Sequence, residues 1–360
     1  MILLERSIME TIVEVIDEEN IDDKALEVLS RAGSIIKDGG LVAFPTETVY
    51  GLGGDALNPQ SSMKIYAAKG RPSDNPLIVH VADMESIKKI VKEIPDAGYK
   101  LAEKYWPGPL TMIMNKSDAV PYETTGGLDT VAIRMPSNKI AAELIRRSGG
   151  YIAAPSANIS GRPSPTEAKY CVEDLSGRVE MIIDGGAVGI GLESTIIDLT
   201  SDVPMILRPG YITKENLTEL LGDVSVDKTI LDANSKAAPK APGMKYRHYA
   251  PKGDLTIVEG DPKMVAEYIN KELKKAAEQG AKTGVIATSE TAAFYNADIV
   301  KIAGSRDDEE EIAHNLFSIL RQFDDEDVNL MFSESFDDTG IGQAIMNRLL
   351  KAAGHKVVRV

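Results

Sequence analysis

The segment 41–81 alternates strand-like and helix-like patterns over a short distance, and this alternation is the strongest constraint on the fold. The segment begins with an apolar run, 41–44, and closes with another, 77–81. Between them Asn58-Pro59 predicts the start of a helix, because Asn is a favoured N-cap and Pro fits the first helical position. A strand, a helix and a second strand so close together are typical of an α/β protein.

Glycine and polar residues occupy the ends of these elements. The glycine-rich stretch 51–54 predicts a tight turn after the first apolar run. Lys69 and Arg71 follow the helical pattern, and we expect this helix end to be exposed. Binding groups usually lie on loops that rigid elements hold in place, so the segment indicates a binding site.

The rest of the first 222 residues continues the mixture of strands and helices. Further strands are predicted at 11–16, 110–114, 131–135, 151–154, 179–183, 195–199 and 204–207. Helices are predicted at 21–37, 83–94, 95–105, 138–147, 166–175 and 213–221. Several strands follow one another too closely for a helical crossover, so the sheet is expected to be mixed rather than all parallel.

Residues 252–360 show a more regular alternation. Strands predicted at 255–258, 284–287, 299–302, 328–332 and 357–360 are separated by helical patterns. This order predicts a parallel, Rossmann-like sheet. No G-x-G-x-x-G motif follows its first strand, so a dinucleotide site is not indicated.

The segment 223–251 differs from both neighbours, because its second half is rich in Pro, Ala and basic residues without any period. A plain linker is one interpretation. A linker is usually small and polar, however, and this segment clusters Tyr246, His248 and Tyr249. We therefore predict that it folds back over a site, as long functional loops do.

Composition excludes several classes of protein. The chain has 55 acidic and 40 basic residues, a net charge of −15, which disfavours broad nucleic-acid binding but allows a small anionic ligand. The single cysteine, Cys171, cannot form an internal disulfide and is expected to be a small buried or half-buried residue rather than a catalytic one. No apolar stretch is long enough for a membrane span and no signal peptide is recognised, so we expect a cytoplasmic protein.

Four cations of the first part lie at the ends of predicted elements: Lys69, Arg71, Arg134 and Arg208. Each alone is more often a solvated charge. Together, in an acidic protein, they suggest a triphosphate, whose oxygens arginine can bind in pairs. Neither of the standard glycine-rich phosphate loops is present.

Histidine gives a weaker signal. The four histidines are scattered, so a zinc site is not expected. His80, at the end of an apolar run, is by default a core histidine. Its assignment to a site depends on polar residues that could lie near it, namely Thr46, Thr48 and Ser194.

Several motifs in one order resemble the Sua5/YrdC/YwlC family. They are Phe44-Pro-Thr-Glu-Thr-Val-Tyr-Gly-Leu-Gly53, Lys69-Gly-Arg-Pro72 with Asn75-Pro-Leu77, Pro155-Ser-Ala-Asn-Ile-Ser-Gly-Arg-Pro-Ser164, Glu193-Ser-Thr-Ile196 and Leu207-Arg-Pro-Gly210. The segments 242–251 and 340–350 resemble the longer branch of that family. The resemblance implies a YrdC-like mixed, twisted α/β domain (1–222), a linker or lid (223–251) and a smaller Rossmann-like parallel α/β domain (252–360).

The resemblance also implies an activity. Members of this family form L-threonylcarbamoyladenylate and pyrophosphate from L-threonine, bicarbonate or CO2, and ATP. The product passes to a threonylcarbamoyltransferase machinery that modifies adenosine 37 of tRNA. Mg2+ is expected with ATP, without an identified protein ligand, and no organic cofactor is expected. Stable nucleic-acid binding is not expected. The alternative is a non-catalytic nucleotide- or RNA-binding regulatory module.

Residue by residue, the resemblance implies two groups of contacts. L-Threonine would lie among Thr48, His80, Arg134 and Ser194. ATP or the adenylate would contact Lys69, Arg71, Asn75, Thr130, Ala154, Ser156, Ser164, Arg208 and Tyr246, with Lys69 and Arg71 as the catalytic residues.

Overall fold

The computed structural model describes residues 9–227 and 248–360. Within the first of these ranges the strands form one mixed sheet of eleven strands, and within the second they form a parallel sheet of five. The mixed sheet followed by a smaller parallel sheet confirms the predicted fold class.

The strands of the first sheet are short. They are β1 (Ile12–Val15), β2 (Val42–Phe44), β3 (Gly51–Asp55), β4 (Ile78–His80), β5 (Leu110–Asn115), β6 (Thr130–Arg134), β7 (Ile152–Ala154), β8 (Met181–Asp184), β9 (Thr195–Asp198), β10 (Met205–Arg208) and β11 (Ser225–Val226). Their spatial order is β1-β8-β2-β3-β7-β4-β6-β5-β9-β10-β11. The sheet contains parallel pairs such as β4 and β6 and antiparallel pairs such as β2 and β3, so it is mixed, as predicted.

Eight α-helices accompany this sheet in the described residues up to 227. They are α1 (Asp23–Lys37), α2 (Pro59–Lys69), α3 (Met84–Ile90), α4 (Asp96–Tyr105), α5 (Tyr122–Thr125), α6 (Lys139–Arg147), α7 (Ala168–Leu175) and α8 (Lys214–Leu221). The Asn58 side chain caps α2 by accepting from the amide of Gln60, and Gly70 ends the helix in a left-handed conformation. The N-cap and the glycine fix where Lys69 and Arg71 lie.

The second sheet has the order β14-β13-β15-β12-β16. Its strands are β12 (Asp254–Glu259), β13 (Thr283–Ala287), β14 (Ile299–Ile302), β15 (Leu330–Glu334) and β16 (Val357–Arg359). The helices are α9 (Pro262–Glu278), α10 (Glu309–Asp325) and α11 (Gly340–Ala352), with a short 3-10 helix at Ala292–Phe294. All of the strand pairs are parallel, as the alternating pattern predicted.

The prediction for the glycine-rich stretch of the 41–81 segment is wrong. The glycine-rich stretch is not a turn but the strand β3, which pairs antiparallel with β2, and the turn lies earlier, at 45–50. The glycines permit close packing in this strand. A Cβ atom at Gly53 would lie 2.7 Å from Cγ2 of Ile152 and 2.8 Å from Cε1 of Phe44. β3 is therefore glycine-rich because neighbouring side chains fill the space above it.

The two sheets are joined by a shared apolar core. Val49 and Leu192 of the first part pack with Phe317 and other buried residues of α10 and α11. Tyr249 belongs to the same cluster, and its ring centroid lies 5.0 Å from that of Phe317. The second sheet and its helices thus pack directly behind the loops that follow β2 and precede β9.

Cys171 is fully buried, as expected, and burial raises the pKa of its thiol. Among the described residues, no helix combines the length and the apolar character needed to cross a membrane.

Candidate functional site

A cavity lies where several strands of the first sheet end. β4 and β6 are parallel neighbours, and their last residues, His80 and Arg134, are paired in register. Ala154 at the end of β7 lies opposite Ile78. Of the residues assigned from the sequence, eight line this cavity: Lys69, Arg71, His80, Arg134, Ala154, Ser156, Ser194 and Arg208. Residues from distant parts of the chain therefore meet in one place.

Arg134 is buried and lies close to two residues of the 45–50 turn. Its Nη1 donates to Thr48 Oγ1 at 2.8 Å, and its Nη2 lies 2.8 Å from Glu47 Oε1. The second contact is an ion pair whose geometry is not that of a hydrogen bond. Thr48 does not itself line the cavity but orients Arg134.

His80 is both buried and part of the cavity wall. Burial, and then the positive charge of Arg134, lowers its pKa to about 3. The imidazole is therefore neutral at pH 7. Its Nδ1 lies 3.1 Å from the carbonyl oxygen of Ile78. His80 can exchange hydrogen bonds with a ligand, but it adds no positive charge.

Ser194 and Arg208 form a connected pair. Arg208 Nη2 donates to Ser194 Oγ at 3.2 Å, and its Nε donates to the carbonyl oxygen of Ser194 at 3.0 Å. Thr111 lies 2.7 Å from Ser194 Oγ on the neighbouring strand β5. Burial lowers the pKa of Arg208 to about 10, so it stays a cation at neutral pH.

Lys69 differs from the sequence expectation. It ends α2 as predicted, but only 1% of it is exposed, so this helix end is not open to solvent. Its Nζ donates to the carbonyl oxygens of Ser156 and Asn158. Burial, and then the neighbouring Arg71, lowers the pKa of Lys69 well below its ordinary value. The ammonium group is thus turned inward onto the 155–161 loop.

Arg71 and Asn75 lie on the segment between α2 and β4. Arg71 donates to the carbonyl oxygens of Asn75, at 3.3 Å, and of Pro76, at 3.2 Å. Asn75 is 1% exposed, and within residues 9–227 and 248–360 no donor reaches its Oδ1. Thr130 starts β6, two residues before the partner of Ile78, so the register places it beside this segment rather than in the cavity wall.

The 155–164 loop supplies the remaining assigned residues. Ser156 lines the cavity and donates to Asn158 Oδ1 at 2.5 Å. Ser164 does not line the cavity, and its Oγ instead donates to Glu193 Oε1 at 2.7 Å. Ala154 contributes to the wall at the end of β7. The predicted contact of Tyr246 lies outside the described residues, although His248 and Tyr249, which follow it, line the cavity.

Two acidic residues near the cavity were not assigned from the sequence. Glu47 pairs with Arg134, and Glu193 accepts from Ser164 and from Arg348 of α11. Burial alone would raise the pKa of Glu193, but Arg348, Arg208 and the Ser164 hydrogen bond outweigh it and hold the pKa at about 2. Both residues are inside motifs that the sequence analysis quoted. Their acidity in an otherwise cationic site was the signal that could have identified them.

No group of three or more His, Cys, Asp and Glu side chains is placed to hold a metal ion in the described part of the chain. Glu193, the buried acid of the cavity wall, is engaged by Arg348 and Ser164. The charged hydrogen-bond donors that line the cavity are instead of the kind that binds an anion.

Comparison with known proteins identifies the family. Residues 34–210 match the sequence profile of the Sua5/yciO/yrdC family, described as "Telomere recombination", and residues 212–354 match that of "Threonylcarbamoyl-AMP synthase, C-terminal domain". A threonylcarbamoyl-AMP synthase of Bacillus subtilis is 48% identical, over 96% of this chain and 98% of its own. The chain belongs to the Sua5 family of threonylcarbamoyl-AMP synthases.

Two further relatives support the assignment to this family. The threonylcarbamoyl-AMP synthase of Pyrococcus abyssi is 48% identical, over 91% of this chain and 95% of its own. The crystal structure of P. abyssi Sua5 complexed with L-threonine matches with a TM-score of 0.91 and 46% identity, covering 97% of this chain and 100% of that one. The resemblance inferred from the motifs is confirmed. The second profile begins at residue 212, so the exact domain borders stay predictions.

Proposed function

We propose that the cavity joins L-threonine, bicarbonate or CO2, and ATP into threonylcarbamoyl-AMP, with release of pyrophosphate. The threonine amine and CO2 give an N-carboxy carbamate anion and a proton, which is released to solvent. A carbamate oxygen then attacks the α-phosphorus of ATP, a new P–O bond forms, and the bond to pyrophosphate breaks. The reaction is a nucleotidyl transfer, which depends mainly on positioning and charge stabilisation.

The observation that carries this proposal is that two sets of residues share one cavity. His80, Arg134 and Ser194 form a small polar niche, and Lys69, Arg71 and Arg208 line the same cavity. The hydrogen bonds from Arg208 to Ser194 connect the two sets directly. A carbamate formed in the niche would lie beside the cations that bind the phosphates.

In the niche, Arg134 would bind the carboxylate of threonine, with Thr48 holding the guanidinium in place. Neutral His80 and Ser194 would exchange hydrogen bonds with the rest of the amino acid. No general base is required for the attack, because the carbamate is already an anion.

Lys69, Arg71 and Arg208 would neutralise the phosphate oxygens. A phosphate next to Lys69 would raise the lowered pKa of the ammonium and draw it from the carbonyls of Ser156 and Asn158. The buried Oδ1 of Asn75 would accept a hydrogen bond from the nucleotide. Mg2+ would arrive with ATP and take its ligands from phosphate and water, since the described residues provide no cluster for it.

We further propose that the product is passed to a tRNA threonylcarbamoyltransferase machinery in the cytoplasm. The net charge of −15 argues against a stable complex with tRNA itself. The adenylate is a mixed anhydride, which decomposes in water, so direct transfer to the acceptor enzyme would protect it.

Pyrophosphate release tests the proposal. Purified protein is incubated with ATP and Mg2+, with and without L-threonine and bicarbonate, and pyrophosphate is measured. Release is expected only when both co-substrates are present. Tight ATP binding without release under any of these conditions would instead support the non-catalytic nucleotide-binding module.

A further inference from the structure

Two arginines on the helices that pack on the second sheet are fully buried against the part of the chain that carries the first sheet. Arg321 on α10 and Arg348 on α11 are both 0% exposed. A buried guanidinium is costly unless its donors find acceptors, so the acceptors show what each arginine does. In both cases acceptors lie on loops of the candidate site.

Arg348 connects the residues that flank Ser194 and Arg208. Its Nε donates to Glu193 Oε2 at 3.0 Å, and its Nη2 donates to the carbonyl oxygen of Glu193 at 3.4 Å. Its Nη1 donates to the carbonyl oxygen of Pro209 at 2.8 Å. Glu193 precedes Ser194 and Pro209 follows Arg208, so one side chain holds both loops.

Arg348 also occupies the carboxylate of Glu193. Ser164 donates to Oε1 of that carboxylate and Arg348 to Oε2, while Arg208 donates to Ser194. Arg208 is close enough to contribute to the electrostatic field at Glu193. Without Arg348, Glu193 would compete with Ser194 for Arg208 and would neutralise a cation that the nucleotide needs.

Arg321 acts in the same way on the 155–164 loop. It forms a bidentate pair with Asp174, at 2.7 and 3.2 Å, and donates to the carbonyl oxygen of Pro163. Asp174 also accepts from the amide of Ile159 at 3.1 Å. The loop that carries Ser156 and Ser164 is therefore tied to α10.

We propose that Arg348, with Arg321 in support, is a positioning residue supplied to the catalytic site by the second domain. It holds Ser194 and Arg208 in place through Glu193 and Pro209, and it keeps Glu193 from pairing with Arg208. The inference rests on the proposed function, because its substrates are ATP and L-threonine. It gives the second domain a defined part in substrate binding.

The test uses the full-length chain and four proteins: the unmutated chain, Arg348→Met, Arg348→Met/Glu193→Gln, and the control Arg359→Met. Arg359 belongs to the same domain but is 82% exposed in its ion pair with Glu259. Thermal unfolding, KM and kcat from pyrophosphate release, and calorimetric binding of ATP and of L-threonine are measured for each.

Arg348→Met is expected to raise both KM values and both dissociation constants by about tenfold or more, the loss of roughly one charge-assisted contact. In the double variant the KM values and dissociation constants should return most of the way to those of the unmutated chain, because Glu193→Gln removes the charge that competes for Arg208. Arg359→Met should match the unmutated chain.

Unchanged KM values and dissociation constants in Arg348→Met would overturn the proposal, even if its melting temperature fell, since that is the result of a purely structural contact. If the double variant has the same KM values and dissociation constants as Arg348→Met, Glu193 does not compete for Arg208, and that part of the proposal is wrong. If Arg348→Met does not fold, Arg348→Gln carries the same test. Absence of turnover in the unmutated chain would count against the proposed function alone, because the binding measurements need no turnover.

Discussion

At the scale of single residues, burial decides the charge state of the site. Lys69 and His80 both have lowered pKa values, chiefly because they are buried, whereas Glu193 keeps a pKa of about 2 because Arg348 and Arg208 outweigh its burial. Each side chain has a different role as a result. Glu193 stays an anion, His80 stays neutral, and Lys69 gains most from an arriving phosphate.

Lys69→Met should lower kcat/KM for ATP by about a hundredfold, because it removes a charge-assisted contact to phosphate while keeping most of the side-chain volume. Pyrophosphate release measures the effect. Lys64→Met is the matched control, since Lys64 is on the same helix and donates to the carbonyl oxygen of Gly39 instead. Equal activity of Lys69→Met and the unmutated chain would remove Lys69 from the phosphate site.

His80 predicts a dependence of stability on pH. Its pKa is about 3 in the folded protein and about 6.5 in the unfolded chain. Below pH 6.5 the unfolded chain binds the extra proton. The free energy of unfolding should therefore fall with decreasing pH by about 1.4 kcal/mol per pH unit, down to about pH 3. Above pH 6.5 the effect is absent.

Denaturant unfolding at pH 7, 6 and 5 measures this slope, and His80→Gln should reduce it. His248, whose pKa burial also lowers to about 3, should maintain a smaller slope in the variant. Identical slopes in both proteins would show that His80 does not titrate as its environment indicates.

At the scale of elements, β3 shows how a glycine-rich motif can serve packing. The strand runs between β2 and β7, and it shares its space with Phe44 and Ile152. The same three-strand unit carries the 45–50 turn on one side and Ala154 on the other. Close packing here sets the distance between two walls of the cavity.

Gly53→Ala should therefore lower the free energy of unfolding by about 1–3 kcal/mol, the usual cost of overpacking. Gly189→Ala is the control, because its Cβ would have no heavy atom nearer than 4.0 Å, the carbonyl oxygen of Glu47. Denaturant unfolding compares the two. If both variants are equally stable, the residues around β3 accommodate an added methyl group, and the prediction of overpacking is wrong.

At the scale of the whole molecule, the two domains behave as one structure around the site. The interface combines apolar packing at Val49, Leu192 and Phe317 with buried ion pairs of Arg321 and Arg348. Removing one partner of a buried pair typically costs about 3–5 kcal/mol, because the other charge is left buried and unpaired, so substitution of either arginine alone should destabilise the interface.

Gly191→Ala should weaken the association of the domains. Gly191 has a φ of +83°, and its Cβ would lie 2.4 Å from the carbonyl oxygen of His314 on α10. Gly186→Ala is the matched control, because φ there is +81° but no heavy atom lies within 4 Å of its Cβ. Gly186→Ala should cost about 1 kcal/mol of backbone strain and Gly191→Ala clearly more.

Thermal unfolding of the two variants measures the difference. A second, earlier transition in Gly191→Ala would report separate melting of a loosened domain. Equal melting temperatures would mean that the interface tolerates displacement of α10 at this point.

The sequence by itself determined the fold class, the family and eight of the residues that line the cavity. Short apolar runs, the Asn58-Pro59 helix start and the alternation after residue 252 depend on local preferences. The motifs contain Lys69 and Arg208, and Arg134 ends a predicted strand. Local patterns suffice for these features because the spacing of the apolar residues follows the repeat of each element.

Only the tertiary structure decided where these side chains point and what charge they carry. Lys69 turns inward onto carbonyls from residues far along the chain, and Glu193 keeps its charge because Arg348 from the second domain, Arg208 and Ser164 together outweigh its burial. The glycine-rich stretch becomes a strand because Phe44 and Ile152 pack over it. Burial and long-range pairing have no local pattern, because their energy comes from contacts between residues distant in sequence.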